Sequence, residues 1–243
     1  MFFEFNDISY SYGQSIALDS LSFFAPRGEI VGLIGENGAG KTTAVKTIVR
    51  FIKPEHGTIS INGTDIQKIK LEQYPVSYIP DTPVFYEELS LLEHLQFVKA
   101  LFPDIPVSIE DTIVRFDLQE HCNKVPAALS KGTQQKLSIA MALLRSFDIL
   151  VADEPFTGLD PTQIAVLKDC LLEVKQAGKL VLLSSHLLSV VENICDRYVI
   201  IKKGKLLAAG TRKALMHQSD LPDSTSMETL YLKLVNNHEK NSK

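Results

Sequence analysis

The sequence predicts an α/β protein in which helices cover a mostly parallel β-sheet. Apolar segments typical of buried strands recur at residues 29–34, 76–79, 149–152 and 180–184, and segments with helical apolar spacing separate them. Such an alternation is typical of parallel sheets covered by helices. The composition, 45% hydrophobic and 22% charged, supports a folded chain with a sizeable core, and no low-complexity linker divides it.

The amino-terminal part is predicted to contain strands. Apolar side chains alternate loosely at Phe3, Phe5, Ile8, Tyr10 and Tyr12, and further strands are expected at residues 18–24 and 29–34. Residues 35–40 then form a glycine-rich, turn-forming stretch, which leads into a predicted helix over residues 41–50. The order is therefore strand, glycine loop, helix.

The middle of the chain is predicted to be helical. Strands at residues 58–61 and 76–79 are followed by a segment from about residue 87 to 147 without a convincing strand, which Pro103 and Pro106 interrupt. Near its end, Leu137, Ala140, Met141 and Leu144 follow the spacing of an amphipathic helix. We interpret this segment as an insertion into one core, because strand–helix alternation resumes after it.

The last hundred residues continue the alternation. A strand at residues 149–152 precedes a helix that Asp160-Pro161 opens and Gly178 ends, and a strand follows at residues 180–184. A hairpin is expected at residues 198–208 around Lys203-Gly204. The tail beyond Gln218 is polar apart from an apolar patch at residues 230–235.

Charge and cysteine content exclude several classes of protein. The chain has 25 Lys and Arg against 29 Asp and Glu, which argues against a broad basic surface for nucleic acid. Its three cysteines are far apart and include no C-x-x-C pair, which argues against a disulfide framework or a zinc knuckle and for a reducing cytosol. No apolar run approaches the roughly 18 residues of a spanning helix, and the first residues do not resemble a signal peptide.

The glycine-rich stretch carries the first chemical motif. Gly35-x-x-x-x-Gly40-Lys41-Thr42 matches a phosphate-binding loop, in which backbone N–H groups and a helix N-terminus surround phosphate oxygens. Lys41 is expected to reach the β- and γ-phosphates, and the Thr42 hydroxyl to ligate Mg²⁺. A glycine turn that merely opens a helix is the alternative, but the strand–loop–helix context favours the phosphate loop.

A second motif supplies acids at the end of a neighbouring strand. Residues 149–152 are apolar and lead into Asp153 and Glu154. Because parallel strands present their carboxyl ends to a common crevice, Asp153 is expected to hold Mg²⁺ through water and Glu154 to polarise the attacking water. A strand that simply ends in a polar turn is common, although the phosphate loop makes that interpretation less favoured here.

Two further candidates depend on their context. His186 follows the strand at residues 180–184, one strand–helix unit beyond the acids, where its side chain could touch a γ-phosphate; a lone histidine there is more often an ordinary surface residue. Ser130 precedes the amphipathic helix, and an ordinary N-cap is the favoured interpretation of it from the sequence alone.

Together these segments resemble the nucleotide-binding subunit of an ABC transporter over nearly the whole chain. They are residues 35–43, the Leu129–Lys136 segment, Asp153-Glu154-Pro155, Thr157-Gly158-Leu159-Asp160 and His186. The resemblance implies a P-loop NTPase core with an antiparallel β subdomain and an inserted α-helical subdomain. It assigns residues 1–83 and 148–215 to the nucleotide-binding core, 84–147 to the helical subdomain and 216–243 to a C-terminal extension, within a single domain of residues 1–243.

The resemblance also implies roles for individual residues. Glu154 and His186 are the expected catalytic residues, Ser130 and Gly132 the signature residues that touch a partner's ATP, and Asp160 the residue that couples the dimer. Thr42, Asp153 and Asp81 are the expected Mg²⁺ ligands. The expected ATP-binding residues are Tyr12, which resembles the aromatic residue stacking on adenine, and Gly35, Asn37, Gly38, Ala39, Gly40, Lys41, Thr42 and Thr43.

Partners follow from the same resemblance. It implies an integral membrane permease subunit, a second nucleotide-binding subunit that is either another copy or a related chain, no nucleic acid, and a peripheral place on the cytoplasmic face of the cell membrane. Two ATP molecules would lie sandwiched in a head-to-tail dimer, and ATP binding and hydrolysis would drive transport through the membrane subunit.

Three positions depart from the family's common pattern. Asp81 stands where glutamine is usual, and Lys131 and Thr133 replace a glycine-type and the glutamine position of the usual Leu-Ser-Gly-Gly-Gln signature. Asp81 and the Ser-Lys-Gly signature are similar to the Ecs-type branch of bacterial ABC ATPases, which implies an exporter-like role for peptides or in protein secretion. The helical segment around residues 85–102 would then receive the membrane subunit's coupling helix, although its aromatic residues could equally belong to the core.

Other classes stay open at this point. A nucleotide-dependent clamp or regulatory ABC protein would bind ATP with little hydrolysis, and ATP turnover separates it from a transport ATPase. ABC-type proteins of DNA repair or translation usually carry long coiled-coil insertions or two cassettes, and this chain has neither. A small-molecule kinase would need neither the Ser130 segment nor the Asp160 turn.

Overall fold

A computed structural model describes residues 2–103 and 106–241 of the chain. Met1, Asp104, Ile105, Ser242 and Lys243, which the predicted ranges include, lie outside the described residues. The strands are β1 (Phe3–Tyr12), β2 (Ser15–Ala25), β3 (Ile30–Ile34), β4 (His56–Ile61), β5 (Thr64–Asp65), β6 (Val76–Ile79), β7 (Ile149–Asp153), β8 (Leu180–Ser185), β9 (Arg197–Lys202) and β10 (Lys205–Thr211). The helices are α1 (Lys41–Ile48), α2 (Leu91–Leu101), α3 (Ile109–Arg115), α4 (Lys131–Leu143), α5 (Pro161–Gln176), α6 (Leu188–Val191), α7 (Arg212–Gln218) and α8 (Met227–Asn241).

The strands form two sheets. The larger has the order β10-β9-β3-β8-β7-β6, and all of its pairs are parallel except β10 with β9. The smaller is antiparallel, with the order β2-β1-β4-β5. The predicted fold class, a P-loop α/β core with an antiparallel β subdomain and a helical insertion, is confirmed.

Two apolar cores lie on opposite faces of the larger sheet. Successive residues of β3 point to opposite faces, so that Ile30 and Ile34 join the core shared with α2, α4, α5 and α8. Val31 and Leu33 join the core shared with the smaller sheet and α1. Because both faces are covered, every residue of β3, β7 and β8 is buried, as is typical of parallel sheets.

This topology brings functional segments to one edge. The neighbouring strands β3, β8, β7 and β6 are parallel, so their carboxyl ends lead side by side into Gly35, His186, Glu154 and the Pro80-Asp81 turn. Crevices at the carboxyl ends of parallel strands are the usual ligand sites of such sheets.

The helical insertion contains α2, α3 and α4, each of which starts at a serine N-cap. The side chains of Ser90, Ser108 and Ser130 each accept a hydrogen bond from the backbone three residues later. Four elements were not expected from the sequence: β5 and the helices α6, α7 and α8. The tail also contains more structure than its polar composition indicated, because α7 spans the predicted boundary at residue 215 and α8 buries the apolar patch.

Candidate nucleotide and hydrolysis site

The predicted phosphate loop lies between β3 and α1 and is fixed by its surroundings. A side chain at Gly35 would collide with the Ile201 carbonyl, and one at Gly40 with the Ala17 carbonyl. Gly40, with a φ of +109°, also has the left-handed backbone that glycine tolerates best. These contacts hold the loop in place before any ligand binds.

The tip of the loop is open to solvent. Asn37 and Gly38 are exposed, whereas Ala39 and Thr43 are buried. The Ala39 carbonyl accepts a 2.9 Å hydrogen bond from the Gly204 backbone, which ties the loop to the β9–β10 turn. Gly40 supplies no capping side chain to α1, so the first N–H groups of this helix are free to meet an anion.

Lys41 is folded back under the loop. Its ammonium donates to the carbonyls of Gly35 at 2.8 Å and Glu36 at 3.2 Å, and lies 3.4 Å from Glu154 Oε1. The side chain is only 5% exposed. A buried ammonium held by carbonyls and a carboxylate places a positive charge directly beneath the loop.

Glu154 joins two of the other predicted residues. Its Oε2 atom accepts hydrogen bonds from His186 Nδ1 at 2.9 Å and from the His186 backbone at 3.3 Å. Glu154 has a positive φ of 46°, which is uncommon for a non-glycine residue and often marks functional turns. The structure therefore brings Lys41, Glu154 and His186 into one cluster.

Asp153 lies beneath that cluster and is fully buried. One of its carboxylate oxygens accepts a hydrogen bond from the Ser184 hydroxyl, whereas Oδ2 is buried without a hydrogen-bond partner among the described residues. Burial raises the pKa of Asp153; the hydrogen bond from Ser184 and the neighbouring Thr42 hydroxyl oppose that shift, and the charges of Asp81 and Glu154 add to it. Thr42 and Asp81, the other two predicted Mg²⁺ ligands, thus face the same carboxylate.

Tyr12 lies at the end of the hairpin that flanks the loop. It pairs with Ser15 across the β1–β2 turn, and Ala17, two residues farther along, abuts Gly40. Tyr12 is 48% exposed and contacts Tyr10 edge to face. An exposed aromatic ring beside a phosphate loop is available to stack on a planar base.

The Ser130 segment forms a separate region. Ser130 caps α4 by accepting from the Thr133 backbone at 3.1 Å, and its hydroxyl lies 2.9 Å from that of Thr133. Ser130 and Lys131 are exposed. The structure brings this tip together with the Asp160 turn rather than with the phosphate loop of the same chain, because Gly132 packs against the Gly158 carbonyl, where a side chain would collide.

Asp160 is itself an N-cap, accepting from the Gln163 backbone at 3.0 Å at the start of α5. The buried Gln135 donates to the Pro155 carbonyl at 3.3 Å, so α4 also contacts the residue that follows Glu154. The exposed Ser130 tip, the exposed Asp160 turn and the cluster of Lys41, Glu154 and His186 are thereby linked through packed backbone.

Sequence reasoning missed three residues around the site. Ser184 bonds Asp153 and also accepts from the Glu154 backbone at 3.1 Å, Gly204 bonds the phosphate loop, and Tyr231 lies next to Glu36. The only signals available for them were a polar residue at the end of an apolar strand, a Lys-Gly turn and a tyrosine within the apolar patch of the tail.

A groove of about 840 Å³ separates the core from the helical insertion. Phe85 and Phe102, at the ends of the predicted coupling segment, both line it and pack against the core, so the expectation that these aromatics belong to the core is met and their contact with a membrane subunit stays a prediction. Val84, Leu71 and Phe51 also line it and are at least 69% exposed. Among the described residues, no helix has the length and apolar character needed to span a membrane.

The chain is similar in sequence to known ABC transporter proteins. A family model described as ABC transporter matches residues 18–157. The ABC-type transporter ATP-binding protein EcsA of Bacillus subtilis strain 168 is 36% identical over 94% of each chain. The Nod factor export ATP-binding protein I of Sinorhizobium fredii is 31% identical over 88% of this chain and 64% of its own.

A solved structure agrees with the sequence comparisons. The chain described as the ATP-binding subunit of an ABC transporter is 37% identical and superimposes with a TM-score of 0.87. The alignment covers 97% of this chain and all of the other.

Proposed function

The chain belongs to the ABC transporter family as one of its ATP-binding proteins, and we propose that it hydrolyses ATP to drive export through a separate membrane subunit. The observation that supports hydrolysis most directly is the cluster in which Glu154 lies 3.4 Å from the Lys41 ammonium and 2.9 Å from His186 Nδ1. It places a carboxylate, a cation and an imidazole at the edge of one phosphate loop.

ATP binding is assigned to the loop and its neighbours. The uncapped start of α1 and the exposed tip at Asn37 and Gly38 present backbone N–H groups to the phosphates, and Lys41 supplies the balancing charge. Gly35, Ala39, Gly40 and Thr43 shape the loop from within. Tyr12 stacks on the adenine, since its exposed ring flanks the loop.

The residues around Asp153 fit a magnesium ion. Mg²⁺ prefers oxygen ligands, and the buried, unpartnered Oδ2 of Asp153 is an oxygen that lacks a partner among the described residues. Asp153 holds the ion, with Thr42 and Asp81 as the other protein ligands. When bound, Mg²⁺ neutralises part of the charge that develops on the phosphate oxygens.

Hydrolysis is assigned to Glu154 and His186. The oxygen of a water molecule forms a bond to the γ-phosphorus, and the bond from that phosphorus to the β–γ bridging oxygen breaks. ADP keeps the electron pair, Glu154 accepts the proton of the water, and inorganic phosphate is released. His186 donates from Nδ1 to Glu154 and holds the carboxylate in position.

A second ATP-binding chain completes the site. The exposed Ser130 and the half-buried Gly132 contact the ATP of a partner in a head-to-tail dimer, and Asp160 couples the two sites, since it lies on the turn that packs against Gly132. The partner is another copy or a related chain. Closure on ATP and reopening after hydrolysis then supply the mechanical stroke.

The membrane subunit docks on the groove between the core and the helical insertion. Exposed apolar side chains are concentrated there, and exposed apolar surfaces of this kind mark interaction sites. The chain lies on the cytoplasmic face of the membrane through this contact. Export is favoured because a relative carries the name of a Nod factor export protein, and the match with EcsA supports assignment to the Ecs-type branch.

Turnover of ATP by the purified chain tests the hydrolysis assignment. We expect Glu154→Gln to lower kcat by at least about 100-fold, because the amide cannot accept the proton of the attacking water. ATP binding should persist. Glu173→Gln is the matched control, since Glu173 forms an exposed pair with Arg115 far from the cluster. Equal rates for wild type and Glu154→Gln would remove Glu154 as the base.

A second candidate, a nucleotide-dependent clamp with little hydrolysis, is favoured by one observation. Asp81 adds a negative charge that helps to raise the pKa of Asp153, which opposes the charged form that Mg²⁺ needs. The same turnover assay separates the candidates, because a clamp would bind ATP in the wild-type chain without measurable phosphate release.

The docking assignment is tested by isolating the chain from membranes. An integral membrane subunit should co-purify with the wild type, and Val84→Asp should reduce its recovery several-fold by placing a charge in the groove. Leu232→Asp is the control, because Leu232 is an exposed apolar residue on α8, away from the groove. Equal recovery with both variants would contradict docking at this groove.

A further inference from the structure

The C-terminal helix lies across the back of the phosphate loop. One face of α8 carries four buried residues, Met227, Leu230, Tyr231 and Val235, which follow helical spacing and join the larger core. The helix packs against α6, α7 and β10. Burial of this stripe fixes the helix on the core.

Tyr231 is the residue of this stripe that reaches the loop. It is 8% exposed and lines a cavity of about 250 Å³ together with residues 34–37, His186 and Leu188. Its hydroxyl lies beside Glu36, and burial followed by the charge of Glu36 raises its pKa. The hydroxyl contacts Glu36, but no hydrogen bond of good geometry satisfies it within the described part of the chain, and the ring supplies the rest of the contact with the Glu36 turn.

Glu36 in turn controls the geometry of the loop. Its carbonyl accepts from the Lys41 ammonium at 3.2 Å and from the Ala39 backbone at 3.1 Å. A shift of residue 36 therefore moves the lysine and the loop together. Glu36 is exposed to solvent, and the ring of Tyr231 packs on the side of this turn that lines the cavity.

The start of α8 is anchored to the segment that follows His186. Glu192, just beyond α6, accepts a 3.2 Å hydrogen bond from the Met227 backbone and pairs with Arg212 at 2.9 Å. Arg212 also donates to the Thr225 carbonyl at 2.7 Å. Helix α8 thus extends from the segment that follows His186 to the phosphate loop, and it makes contacts at both places.

We propose that Tyr231 is a positioning residue, whose ring holds the Glu36 turn so that affinity for ATP depends on the C-terminal helix. The inference rests on the proposed function, because it concerns the affinity of the phosphate loop for nucleotide. Tyr231 acts on binding and leaves the hydrolysis step to Glu154, so KM for ATP responds to it and kcat does not.

Steady-state ATP turnover with three variants of the full chain tests this proposal. Tyr231→Leu, which stays apolar but lacks the ring, should raise KM about tenfold and change kcat by less than twofold. Tyr231→Phe should restore KM to within twofold of wild type. The melting temperature of Tyr231→Phe should equal or exceed that of the wild type, because the substitution removes a buried hydroxyl that has no good hydrogen-bond partner.

Val235→Ala is the matched control. Val235 is as buried as Tyr231 and lies one turn farther along the same face, outside the cavity beside the loop. It should lower the melting temperature by leaving a cavity, yet leave KM unchanged. The proposal is overturned if Tyr231→Leu keeps the wild-type KM, if Val235→Ala raises KM equally, or if Tyr231→Phe is as impaired as Tyr231→Leu.

The wild-type protein separates this inference from the proposed function. If the wild type hydrolyses ATP and Tyr231→Leu retains its KM, the inference alone fails. If the wild type neither binds nor hydrolyses ATP, the proposed function fails and the inference falls with it.

Discussion

The phosphate loop and the Ser130 tip are both helix starts, but the protein holds them in different ways. Gly40 at the start of α1 is enclosed by the Ala17 carbonyl and Gly204, and its helix lacks a capping side chain. Ser130 at the start of α4 is exposed and caps its own helix. The start of α1 is therefore held by residues of the core, and no side chain caps its N–H groups. The start of α4 is capped by its own serine and faces solvent.

The difference agrees with the proposed division of work between two chains. A loop fixed by its neighbours can bind a nucleotide without rearranging, because its conformational entropy is already lost when the chain folds. An exposed, self-capped tip has no phosphate to contact in its own chain, since its packing partner there is the Asp160 turn. It is suited to meet the ATP held by another chain.

The largest expected effect is a difference in ATP affinity between two variants, each of which removes a lysine from one of the two regions. Lys41→Ala should weaken ATP binding about 100-fold, or about 2.7 kcal/mol, because the buried ammonium balances the phosphate charge. Lys131→Ala, at the exposed tip, should leave the affinity of the isolated chain within twofold. A fluorescent ATP analogue measures both affinities, and equal losses would break the distinction between the two regions.

A smaller effect is expected from changes to the tip that preserve its cap. Aspartate and asparagine cap helices as well as serine does, so Ser130→Asp and Ser130→Asn should fold with similar melting temperatures. Ser130→Asp should lower turnover about tenfold more than Ser130→Asn, because it places a carboxylate against the partner's phosphates. Turnover and ATP affinity are measured side by side; a matching loss in both variants would remove the tip from the site.

The sequence predicted the regions whose residues lie close together along the chain. The phosphate loop is a continuous run from Gly35 to Thr43, and Asp153 and Glu154 follow directly on a buried strand, so spacing alone placed them in one crevice. The family resemblance added Tyr12, Ser130 and Asp160, whose local sequence is that of a strand aromatic and two ordinary caps.

The rest depended on contacts between distant parts of the chain. Tyr231 meets Glu36 across nearly two hundred residues of sequence, and Gly204 meets Ala39 only because β9 pairs with β3. No local pattern encodes such pairs. The tail was predicted to be polar apart from the patch at residues 230–235, because its stripe spans only about two turns and the apolar Leu232 and Leu234, which lie off the stripe, blur its helical spacing.

The central claim is that ATP is enclosed between the phosphate loop of one chain and the Ser130 tip of another. Sedimentation of the Glu154→Gln variant with Mg²⁺ and either ATP or ADP tests it most directly, because ATP then binds without being consumed. The account predicts a species of twice the 27.0 kDa chain mass with ATP alone, which adding Ser130→Asp abolishes. A 27.0 kDa species with ATP bound, or a dimer indifferent to both nucleotide and Ser130→Asp, would contradict it.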